Sequence, residues 1–201
     1  MKLITLVAGI AMAVVTPLAL AIDTGYYGVV DVGQSTASRA CDSSLQTANI
    51  GGSSNFSCAD KATSYGPSIG YQFNENLAIE GGYFRMGKFS YRFDTTACGG
   101  CSVASSDEFS ELRFSIIGYL PPANNFALFG KAGAERWSRT GTGTSLTTPF
   151  QVSETGFDFL LGIGAKYVIS QSLAVRAQLE TQGVGGGLKQ IDMISIGLIF
   201  Q

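Results

Sequence analysis

The sequence contains no histidine. Ser-His-Asp and Cys-His nucleophile systems, His-ligated metals and histidine general bases are therefore excluded for this chain. Charge is scarce as well, since only 14% of the 201 residues are Asp, Glu, Lys or Arg, against roughly 25% in soluble domains. Beyond residue 21 no uncharged apolar run reaches the about 18 residues that mark a membrane-spanning helix. The formal net charge is −2 and no basic stripe is visible, so nucleic acid is not an expected partner. What is plentiful is glycine (26), phenylalanine (13) and tyrosine (8), in a chain that is 45% hydrophobic. A chain of that composition with no helical span can cross a bilayer only as a closed barrel.

Residues 1–21 read as an export signal. Lys2 is the positive start, Leu3 to Val15 the apolar stretch, Pro17 a break and Ala19-Leu20-Ala21 a cleavage site. A retained anchor is the alternative, because the stretch is barely long enough to span. Removal takes away one base and leaves the mature barrel, residues 22–201, near −3. Export places the four cysteines in an oxidising compartment. Cys41 and Cys58 share one polar stretch, and Cys98 and Cys101 another, as C-G-G-C. Local pairing is the simplest of three connectivities. A redox C-x-x-C needs a helix N-terminus that the Thr, Ala and Ser flanks do not suggest, and a four-thiol zinc site would have unusual spacing.

The mature chain reads as eight strand-like segments with period-two alternation, Tyr26–Thr36, Thr63–Asn74, Leu77–Phe93, Glu108–Leu120, Phe126–Thr140, Phe150–Ile169, Leu173–Gln182 and Lys189–Gln201. Short connectors at Asn74–Asn76, Pro121–Asn125 and Ser170–Ser172 alternate with longer polar ones at Ala37–Ala62, Asp94–Asp107, Gly141–Pro149 and Gly183–Leu188. An all-β, eight-stranded antiparallel up-and-down transmembrane barrel with short periplasmic turns and long extracellular loops fits this rhythm. Along one segment Phe157, Phe159, Leu161, Ile163, Ala165 and Tyr167 alternate with Asp158, Leu160, Gly162, Gly164 and Lys166. A soluble lipocalin-like barrel would turn the apolar face inward, whereas low charge and aromatics near strand ends favour lipid outside. A buried helix over Ile163–Val175 is disfavoured by its glycines and its alternation.

The inward parity gathers Glu80, Glu111, Asp158 and Glu180 with Arg113, Lys131, Lys166 and Arg176. Charges enclosed in a lumen must pair or stay hydrated, so a ladder of ion pairs is expected, either a plug or a gated pore. Arg85 and Arg136 fall on the outward parity near the loop end, beside Tyr83, Phe89 and Trp137, which suggest an aromatic girdle. There the arginines snorkel at the rim or contact lipopolysaccharide phosphates. The Gly183–Gly187 run lacks the spacing and the following helix of a phosphate loop.

Four stretches carry a family resemblance. They are Leu77-Ala-Ile-Glu-Gly-Gly-Tyr83, Phe126-Ala-Leu-Phe-Gly-Lys-Ala-Gly133, Gly162-Ile-Gly-Ala-Lys-Tyr-Val-Ile-Ser170 with Leu173-Ala-Val-Arg-Ala177, and Ile194-Ser-Ile-Gly-Leu198. Together they resemble the OmpA-like family of outer-membrane β-barrels, including its small OmpX-like members, over essentially the whole mature chain. The resemblance implies a Gram-negative outer-membrane location, and it matches Glu80, Lys131 and Arg176 to interior ion-pair positions. Lys166 departs from a position that is often acidic, and Phe200-Gln201 departs from the usual aromatic terminus. Nothing follows the last segment that would correspond to a peptidoglycan-binding domain.

The expectation is a non-enzymatic, monomeric barrel without cofactor or metal. Its partners would be outer-membrane lipid, lipopolysaccharide and the barrel assembly machinery. An adhesin or immune-evasion protein acting on a host-surface ligand through its loops, and a narrow pore, are the alternatives. Lipid-modifying barrel enzymes rely on histidine and are disfavoured.

Overall fold

The computed structural model describes residues 24–38, 41, 53–95, 101–121, 124–145, 148–184 and 189–201. The export signal expected over residues 1–21 lies outside these. Among the described residues the secondary structure is strand, and no helix is long and apolar enough to cross a membrane. The strands are β1 (Gly25–Ser38), β2 (Ser53–Ala59), β3 (Lys61–Asn74), β4 (Leu77–Thr95), β5 (Cys101–Tyr119), β6 (Phe126–Ser145), β7 (Thr148–Ser170), β8 (Leu173–Val184) and β9 (Lys189–Phe200).

Eight of them close a ring in the order β4-β3-β1-β9-β8-β7-β6-β5, and β5 pairs back to β4. Every pairing in the ring is antiparallel. The first and last strands are neighbours, with Gly28 opposite Phe200. Closure leaves no open edge in the ring, which a lipid-embedded sheet requires because the hydrocarbon cannot bond a free N–H. β2 continues the line of β3 after Asp60 and pairs with β4 alone.

The strands outrun their expected limits on one side only. Asp94–Asp107 and Gly141–Pro149 read as loops because Ser, Thr and Gly dominate them. Instead β4 and β5 stay paired out to Thr95 and Cys101, and β6 and β7 out to Ser145 and Thr148. β2 likewise occupies part of Ala37–Ala62. The other strands stop sooner, at Ser38, Val184 and Lys189. A five-stranded wall, β2-β4-β5-β6-β7, thus rises above one half of the ring. The opposite end of the barrel carries the tight turns at Glu75-Asn76 and Gln171-Ser172.

Cys41 and Cys58 form a disulfide with Cα atoms 5.8 Å apart, tying the chain after β1 to β2. Cys98, expected to pair with Cys101, lies outside the described residues.

Alternation sorts the side chains. Leu112, Phe114, Ile116, Phe157, Phe159, Leu161, Ile163, Ile194 and Ile196 are exposed on the outside as an apolar belt. Large aromatics fit in so narrow a lumen because each folds over a glycine directly across the strand pair. Tyr27 lies opposite Gly70, Phe129 opposite Gly164 and Trp137 opposite Gly156, and a Cβ on any of these glycines would collide with the ring.

Candidate functional site

Two regions carry chemistry, the lumen and the outer face just above the apolar belt. The lumen is stratified. At the turn end Tyr27, Val29, Ile117, Tyr119, Phe129 and Ile199 form one apolar cluster. At the wall end Phe84, Met86, Phe89, Phe109, Trp137, Ile191 and Met193 form another. Both draw on strands from around the ring, so each lies across the lumen like a lid.

Between the lids runs a connected polar layer. Arg176 donates to Asp31 at 3.0 and 2.6 Å and to Glu80 at 2.6 and 3.1 Å, a fork engaged on both sides. Lys131 joins Glu80 at 3.1 Å to Glu180 at 3.0 Å. Arg113 continues from Glu180 at 3.0 Å to Gln182 at 2.9 Å, with its guanidinium 4.1 Å from the centre of the Phe84 ring. It also pairs with its strand neighbour Glu111, which Gln182 bonds at 2.6 Å.

The structure therefore brings together six of the eight interior residues expected from alternation. Lys166 has no ion pair among the described residues; it donates to Gln72 at 3.4 Å and sits 4.9 Å from the Tyr119 ring centre. Asp158 departs further. It is only half-buried, accepts a bond from the Phe159 N–H at 2.8 Å, and has no ion-pair partner among the described residues. The pairing of β7 with β8 begins only at Leu160 opposite Gln182, so Asp158 sits beyond the last paired rung.

Asp31 and Glu135 belong to the layer and were not anticipated. Both follow the inward parity of their strands, Asp31 with Tyr27 and Val29 and Glu135 with Lys131, and that parity was the available signal. With them the layer holds five buried acids, Asp31, Glu80, Glu111, Glu135 and Glu180, against four bases, Arg113, Lys131, Lys166 and Arg176. The balance of four and four expected from alternation is thereby corrected. Glu135 is 1% exposed and its nearest ion-pair contact, Arg113 Nε, is 3.8 Å away.

The expected girdle needs a larger correction. Tyr83 faces outward, but Phe89 is 2% exposed and Trp137 6%, both within the wall-end lid. Trp137 follows the inward parity set by Lys131 and Glu135. Phe89 is turned in by a β-bulge: Arg85 faces Ser110 and Gly87 faces Phe109, leaving Met86 as an extra residue. Gly87 takes a φ of 78°, where a side chain would be strained.

On the outer face the registers lay out three rows. Tyr83, Leu112, Arg136 and Phe157 end the apolar belt, with the Arg136 guanidinium 5.8 Å from the Phe157 ring centre. Above them come Tyr65, Arg85, Ser110, Ser138 and Thr155, and then Lys88, Glu108, Thr140 and Ser153. Lys88 pairs with Glu108 at 3.0 Å. The bulge opens a cleft of about 230 Å³ between these rows. Arg85 donates to the hydroxyl oxygens of Tyr83 and Tyr65, and Ser110 also bonds the Tyr83 hydroxyl.

The family model for the outer membrane protein beta-barrel domain matches residues 5–200. No curated protein matches the chain. Among solved structures, the outer membrane protein OprG from Pseudomonas aeruginosa is 11% identical, covering 89% of this chain and 97% of its own, with a TM-score of 0.50. The N-terminal β-barrel domain of Pseudomonas aeruginosa OprF is 14% identical over 89% of this chain and 100% of that one, with a TM-score of 0.48. Ail, the attachment invasion locus protein of Yersinia pestis, solved with the heparin analogue sucrose octasulfate, is 11% identical over 88% of this chain and 99% of that one, with a TM-score of 0.48. The chain belongs to the outer-membrane β-barrel family and resides in the Gram-negative outer membrane.

Proposed function

We propose that this protein is a sealed, non-enzymatic barrel that strengthens the outer membrane and carries a rigid wall beyond it. Residues 1–21 direct export and are removed, and the assembly machinery inserts the monomeric barrel with its tight turns in the periplasm and the wall outside the cell. The observation carrying the reading is the stratified lumen. Ions entering from either end meet an apolar lid, and most of the charges between the lids, Asp31, Glu80, Glu111, Arg113, Lys131, Arg176 and Glu180, are paired with one another. A narrow pore would need the Phe84–Trp137 and Tyr27–Phe129 clusters to part.

Planar-bilayer recording is the test. Protein inserted with heat-modifiable gel mobility is expected to stay electrically silent, while steady single-channel steps in most insertions would sink the sealed-barrel reading.

A second reading, contact with a host surface, is favoured by the wall, since a paired sheet presents fixed side chains where a loop would not. Removing Arg92 to Ala104, which face each other across β4 and β5, shortens the wall at a paired rung. Loss of binding to host-cell matrix with unchanged gel mobility is the expected result of that reading, and unaltered binding, or none in the intact protein, ends it.

A further inference from the structure

We infer that the outer-face cleft at the β4 bulge holds the phosphorylated headgroup of an outer-leaflet glycolipid. The inference rests on the orientation given above, with the wall outside the cell. Position is the first argument. The row Tyr83-Leu112-Arg136-Phe157 is the last of the apolar belt, and the cleft opens directly above it. A lipid whose chains lie against Leu112, Phe114 and Ile116 has its headgroup at this height.

Chemistry is the second argument. Arg85 lines the cleft with Tyr83 and Tyr65 and is exposed, so donors of its five-donor fork remain for a phosphate. Lys88 stands one row above, shared with Glu108, and Arg136 supplies a second guanidinium one row below. Beside Gly87, Glu108 and Phe109 the remaining lining is hydroxyl-bearing, with Tyr65, Tyr83, Ser110, Ser138 and Thr140 able to both donate and accept. A guanidinium and an ammonium, Arg85 and Lys88, among sugar-matching hydroxyls, with Arg136 just below the cleft, suit a phosphorylated sugar better than a zwitterionic phospholipid, whose ammonium would meet Arg85.

The cleft is also built by the fold. Gly87 lines it where β4 passes close to β3, since a Cβ there would stand 2.5 Å from the Thr63 carbonyl oxygen. Without the bulge, the alternation would turn Lys88 inward.

The experiment uses the full-length protein, delipidated in detergent, with native mass spectrometry reading retained lipid. Bisphosphorylated lipid A is expected to stay bound, dephosphorylated lipid A and phosphatidylethanolamine at least tenfold less. Arg85→Ala and Ser138→Asp should each reduce retention at least tenfold with gel mobility intact, whereas Arg85→Lys should retain more than Arg85→Ala. Retention unchanged in both Arg85→Ala and Ser138→Asp, equal capture of phosphatidylethanolamine, or displacement by millimolar inorganic phosphate would each overturn the assignment. Conductance recorded on the same preparation is independent of retention, so a leaking barrel that still holds lipid A would count against the sealed lumen and not against this site.

Discussion

Arg176 is where the interior network is most exposed to a single change. Its guanidinium is shared between Asp31 and Glu80, which lie 145 and 96 residues away in the chain. Removing one member of a buried ion pair leaves an uncompensated charge that costs about 3–5 kcal/mol. Arg176→Met is expected to destabilise the barrel by that order, read as a lower urea midpoint for the compact gel form. Replacing Asp31 and Glu80 by Leu in the same chain should restore most of the loss, since the apolar trio orphans no charge of its own and Lys131, which loses Glu80, keeps Glu180. Much of this network was legible. Once strands are recognised, the residue at every second position is placed, and Glu80, Glu111, Arg113, Lys131, Arg176 and Glu180 follow. Partner choice was not legible, because Asp31 meets Arg176 only through the pairings of β1 with β9 and of β9 with β8.

At the scale of the strand, one glycine decides which way six or more side chains point. Period-two reading through β4 puts Phe89 outside, and it fails at Gly87 because a lone glycine in a strand announces either a bulge or a close approach without saying which. Here both hold, with φ at 78° and Thr63 against the missing Cβ. Gly87→Val should therefore cost about 1–3 kcal/mol as stored backbone strain. Deleting Gly87 should be milder, because Met86 then falls opposite Phe109 and Lys88 stays opposite Glu108, healing the register without moving Phe89. The urea midpoints of the two variants check the order, and a deletion less stable than Gly87→Val would contradict it. The wall was missed for a related reason. Thr140–Ser145 is Thr, Gly and Ser throughout, and Ser102–Ser106 puts one small apolar residue on each parity, Val103 and Ala104, so neither stretch has a hydrophobic alternation to display.

For the molecule as a whole, closure is what converts weak local signals into one structure. Each strand of the ring is held by two neighbours, and a slip of one residue would turn an apolar face into the lumen and charges into lipid. Among the described residues, the end of the ring opposite the tight turns rises on the β4 to β7 side and stops lower on β8, β9 and β1. The barrel consequently has a front and a back within the plane of the membrane. The tall side also bears Arg85, Lys88 and Arg136 on its outer face. Two such molecules side by side are therefore not interchangeable with the same pair rotated.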